Sequence, residues 1–94
     1  MTQKQNVLQW VSEAVEACDS TTGEPEVSRL TLAKAHFRAC NEVQRREVIE
    51  VLDKRLRELI MAADIVPARA TLVCSEALVT TGKLSDERKS RHES

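Results

Sequence analysis

Three thiols and two imidazoles are the side chains here best suited to chemistry: Cys18, Cys40, Cys74, His36 and His92. A nucleophilic cysteine needs a lowered pKa, supplied by a nearby base, a cation or a helix N-terminus. Each of the three instead continues an apolar stripe at helical spacing, where a thiol acts as a small hydrophobe. An odd number of widely spaced cysteines does not suit a disulfide framework, and a reducing cytoplasm is the expected setting. His36 and Cys40 stand four apart and could touch one metal ion from a helix face, but two ligands do not make a site. His92 lies far along the chain, and no CxxC or HxxxH spacing occurs, so no metal and no cofactor are expected.

The carboxylates do not form a catalytic pair either. Those between residues 42 and 57 alternate with bases, as Glu42–Arg46, Glu50–Lys54 and Asp53–Arg57, which is the pattern of a solvated helix face. There is no glycine-rich phosphate loop and no nucleophile elbow. A non-enzymatic protein is therefore expected. Arg29, Arg38, Arg45 and Arg46 could meet phosphates, so a small helix-turn-helix-like DNA-binding regulator is the alternative. Against it, the net charge is −1, and residues 67–81 offer Ala, Leu and Val where a recognition helix needs groups that read base edges.

The elements that carry these residues are helices. The chain has 94 residues, 41% apolar and 31% charged, with Trp10 and Phe37 its only aromatics and two glycines and two prolines in all. So few turn formers exclude a strand-rich or nucleotide-loop architecture. One all-α domain over residues 1–82 is expected, a bundle of three to four antiparallel helices, followed by a charged, frayed tail over 83–94. No apolar run reaches membrane-span length and no secretory leader is visible, so no membrane association is expected.

Four segments carry the periodicity. The first, 3–18, opens on a capping box of Thr2 with Gln5, and Val7, Val11, Ala14, Val15 and Cys18 recur at helical spacing. The second, 25–40, starts at Pro25 and has two apolar faces: Val27, Leu30, Ala33, Phe37 and Cys40 on one, and Leu32, Ala35 and Ala39 on nearly the opposite side. The third, 42–64, opens on Asn41 with Gln44 and has an apolar arc about half the circumference wide. Val43 would extend the Leu32–Ala35–Ala39 stripe if segments two and three were one helix, but a break near Asn41 fits ordinary helix lengths better. The fourth, 67–81, starts at Pro67 and ends at Gly82. Ala70, Val73, Cys74, Ala77 and Leu78 form one face, and Ala68, Leu72 and Val79 the other.

One bundle of this size needs about one apolar stripe per helix. Leu32, Ala35, Ala39, Val43, Ala68, Leu72 and Val79 are left over, and an exposed patch of that kind marks a protein interface. Arg55 falls inside the apolar arc of segment three. It either packs its stem while the guanidinium reaches water, or aims a charge at an acidic partner group. Trp10, at the rim of the first stripe, is a core residue or a hot spot. These nine residues are the expected partner-binding set. The expected function is regulatory: docking on another protein, for instance a transcription factor or an enzyme, and blocking or remodelling its interface. A homodimer is expected as well.

Overall fold

A computed structural model of the chain describes the backbone of residues 2–93 and the side chains of residues 2–82. The tail expected at 83–94 lies outside the described side chains. The fold is all-α, with four helices: α1 (Gln3–Glu16), α2 (Val27–Ala39), α3 (Glu42–Met61) and α4 (Ile65–Glu93).

Local chemistry sets most of the boundaries. Thr2 caps α1, its hydroxyl accepting from the Gln5 amide while the Gln5 side chain accepts from the Thr2 amide. Asn41 and Gln44 repeat this reciprocal pairing at the start of α3, which fixes the break between α2 and α3. Each box satisfies amides that the first helical turn leaves without acceptors. α2 begins two residues later than the position of Pro25 suggests. Pro25 is buried just ahead of the helix, and Glu26 is the cap, accepting from the Ser28 and Arg29 amides at 3.1 and 2.8 Å. Those two bonds hold the Glu26 carboxyl below the usual carboxylate range, the Arg29 amide contributing most.

α3 closes on a left-handed turn. Ala63 has φ +60°, its amide donates to the Ile60 carbonyl, and the Asp64 amide reaches back to Leu59. This is a Schellman closure with alanine in the place glycine usually takes. α4 then starts at Ile65, ahead of Pro67. A proline is tolerated within the first turn because the amide it lacks would have no helical acceptor there. Gly82, expected to end the helix, lies inside α4. It is buried, and a Cβ placed on it would sit 3.4 Å from Cε1 of Phe37. That is ordinary van der Waals distance, so α4 passes over the Phe37 ring with room for a methyl at this position.

The α1–α2 and α3–α4 pairs pack as two helical hairpins, joined by contacts of α4 with α2 and of α1 with both α3 and α4. The shared core is aliphatic apart from one ring: Val7, Val11 and Ala14 from α1, Ala33 and Phe37 from α2, Val48 and Leu52 from α3, Cys74 and Leu78 from α4. Between the hairpins, the Lys4 ammonium meets the Glu47 carboxylate at 2.6 Å.

Candidate functional site

The leftover apolar residues fall mainly on the outer faces of α2 and α4. On α2, Leu32 is 41% exposed, and Ala35 and Ala39 are also exposed, on the side away from the buried Ala33 and Phe37. Val43 is exposed too, but it sits past the Cys40–Asn41 break on the first turn of α3 and does not continue the α2 stripe. On α4, Ile65, Leu72 and Val79 are 75%, 42% and 36% exposed. They are seven residues apart, so they stack on one side of the helix, opposite the buried Ala70, Cys74 and Leu78.

Ala68 is a correction to the expected set. It is only 7% exposed, because it lies at the edge of the α4 outer face where the helix already meets its own bundle. Trp10 is half-buried and packs against the core. Ile65 is the clearest addition. Starting the helix at Pro67 removes it from the count, yet its seven-residue spacing to Leu72 and Val79 is visible in the sequence. Ile60 and Met61, at the end of α3, are exposed as well; Ile60 belongs to the broad apolar arc of that helix, and Met61 does not.

Arg55 does not hang free in water. Its Nη1 donates to the Ser12 hydroxyl at 3.0 Å, tying α3 to α1. The half-buried guanidinium borders a cavity of about 340 Å³ whose apolar wall includes Val15, Leu52, Leu59 and Pro67.

Two of the four arginines open to a phosphate-binding reading are used within the fold. Arg29 pairs with the Glu26 carboxylate at 3.3 Å. Arg45 donates to the carbonyls of Phe37 and Arg38 at 3.2 and 2.9 Å. Arg38 and Arg46 are exposed. His36 is hydrogen-bonded through Nδ1 to Oε1 of Gln3 at 2.7 Å, and Cys40 is buried. Among the described residues no group of three or more His, Cys, Asp or Glu is placed to hold a metal ion. Burial raises the Cys40 and Cys74 thiols, Cys74 to about 11. At neutral pH both are therefore protonated and poorly nucleophilic. Among the same residues no helix is long and apolar enough to cross a membrane.

No family model, curated protein or solved structure matches this chain.

Proposed function

We propose that this protein is a non-enzymatic regulatory module that binds a helix of another protein and thereby covers or reshapes that partner's own interface. The observation that carries the reading is the outer face of α2. Leu32, Ala35 and Ala39 present an exposed apolar stripe on the side opposite the core. Aliphatic surface left in water gains about 25 cal/mol per Å² when a partner covers it.

The charges around the stripe select the occupant. At helical spacing, the exposed Arg38 borders it on one side, and His36 and Arg29, the latter already paired with Glu26, on the other. The whole span Val27–Ala39 contains no acidic residue. The complementary surface is an amphipathic helix with aliphatic residues on one face and Asp or Glu along its edges. The α2 helix of a second copy would bring bases against bases. The proposed set on this face is Leu32, Ala35 and Ala39, with Val43 a neighbour on α3.

Two synthetic helical peptides of one leucine-rich design, edged with Glu in one and Lys in the other, test the reading by fluorescence polarisation. The Glu-edged peptide should bind saturably and weaken as salt rises. Leu32→Glu should abolish that binding while its circular dichroism stays helical. Equal binding of both peptides, or binding unaffected by Leu32→Glu, would refute the assignment. Photocrosslinking from position 35 in cells should then capture a protein whose contact region has this acidic amphipathic pattern.

A further inference from the structure

On the outer face of α4, the exposed apolar ridge is interleaved with charge. Reading along the helix, Ile65, Arg69, Leu72, Glu76 and Val79 are spaced by four, three, four and three residues, so they form one continuous strip. All five are exposed. The strip therefore has an aliphatic residue at its centre and at each end, with one base and one acid between them. Arg69 and Glu76 are seven residues apart, about 10 Å along the axis at 1.5 Å per residue. They are too far apart to pair with each other, and among the described residues neither is in an ion pair. The base is also braced: the aliphatic stem of Arg69 lies against Gly23, whose added Cβ would meet it at 3.1–3.3 Å.

This pattern complements itself when reversed. We infer that the α4 strip pairs with the same strip of a second copy of this chain, antiparallel, across a two-fold axis level with Leu72 and Val73. That axis places Arg69 opposite Glu76 of the partner subunit, and Glu76 opposite Arg69 of the partner subunit. It sets Leu72 beside its own counterpart and Ile65 near Val79 of the partner subunit. A two-fold interface uses the same patch on both sides, so each favourable contact occurs twice. A parallel pairing in register would put Arg69 on Arg69 and Glu76 on Glu76, two like-charge contacts. The sequence of the strip thus selects the antiparallel arrangement through its charges. It also separates the two apolar faces: α4 is for self-association, and the cation-bordered α2 face is for the acidic partner proposed above.

Charge exchange tests this on the full chain by sedimentation at 10–100 µM, on the order of the affinity expected for so small an apolar strip. The wild-type protein should sediment as a dimer in reversible equilibrium with monomer. Arg69→Glu alone and Glu76→Arg alone should each weaken association by roughly tenfold, because each creates two like-charge contacts. The double exchange should recover most of the wild-type affinity. Leu72→Glu should be monomeric at every concentration with its helical circular dichroism intact. A wild-type monomer at 100 µM would overturn the inference, as would single exchanges without effect or a double exchange without recovery. Failure here is distinguishable from failure of the α2 reading: a monomer that still binds the Glu-edged peptide removes only the dimer, and a dimer indifferent to that peptide removes only the docking role.

Discussion

The Arg45 guanidinium lies over the Phe37 ring, 5.5 Å from its centroid, and donates from Nε to the carbonyl of that same residue at 3.2 Å. Its Nη2 also reaches the Arg38 carbonyl at 2.9 Å. One side chain of α3 thus caps the open C-terminal end of α2 and covers the ring at the centre of the core. The planar fork matters more than the charge, because two carbonyls and a ring face are engaged together. Arg45→Ala is expected to lose about 1–3 kcal/mol of stability in urea unfolding, and Arg45→Lys to recover less than half of that loss. Full recovery by lysine would show that charge at the helix end is sufficient.

Three backbone positions should respond to glycine and alanine exchange with different signs. Ala63 sits at φ +60°, where a Cβ is strained, so Ala63→Gly should stabilise by about 0.5–1 kcal/mol. Gly82 lies within α4 with room for a methyl at 3.4 Å from Phe37, so Gly82→Ala should stabilise by up to about 1 kcal/mol through helix propensity. Gly23 combines φ +73° with the Arg69 stem at 3.1–3.3 Å, so Gly23→Ala should destabilise by about 1–3 kcal/mol. Thermal melts of the three variants check this; a destabilised Ala63→Gly would contradict the strain at that turn.

These positions also show where the sequence was readable. Both capping boxes were legible because Thr2–Gln5 and Asn41–Gln44 act within four residues. The core faces of α1 and α2 were legible because their periodicity is local, except at Val27, which the stripe includes but which is 74% exposed on the first turn of α2; the exposure of Leu32 and Leu72 was legible by elimination. That Gly82 does not end α4 was not legible, because nothing near it in the chain reveals that the helix continues past it over Phe37, 45 positions earlier. The end of α3 had no glycine to announce it, because Ala63 takes the left-handed turn at a cost. Ala68 and Ile65 exchanged places across the α4 boundary: a proline read as the first helical residue removed Ile65 from the ridge, and Ala68 lies where tertiary contacts alone decide burial.

The Cys74 thiol gives the protein an alkaline liability. Burial first, and then the neighbouring Cys18 thiol, push it up to about 11, against a smaller opposing pull from Lys34. An unfolded chain releases this proton near the ordinary thiol value of about 8.5. A group with a raised folded pKa contributes stability that is complete below the unfolded value and is lost as pH rises through the folded one. Stability should therefore fall between roughly pH 8.5 and 11, with a slope of at most about 1.4 kcal/mol per pH unit from this group. Cys74→Ala should have a shallower slope in that window, whatever constant penalty its small cavity adds. In native protein at pH 8, Cys74 should resist iodoacetamide and react only after urea is added. Rapid alkylation in the fold would mean that the thiol is not buried as described.

The division between core and surplus can be tested without any partner. Leu52 and Leu32 are the same residue type on consecutive helices, one fully buried and the other 41% exposed. Leu52→Ala removes methyls from a packed interior and should cost about 2–5 kcal/mol. Leu32→Ala and Leu72→Ala remove area that this chain does not itself enclose, so each should cost well under about 1 kcal/mol in dilute protein. The replacement by Glu is the sharper version: a carboxylate at either surface position stays in water and leaves folding nearly unchanged, whereas one buried without a partner would unfold a chain this small. Urea midpoints measured below 1 µM, where association is suppressed, separate the two cases. Losses at Leu32 and Leu72 comparable to that at Leu52 would place both residues in the core and withdraw the apolar surface from which both interaction proposals start.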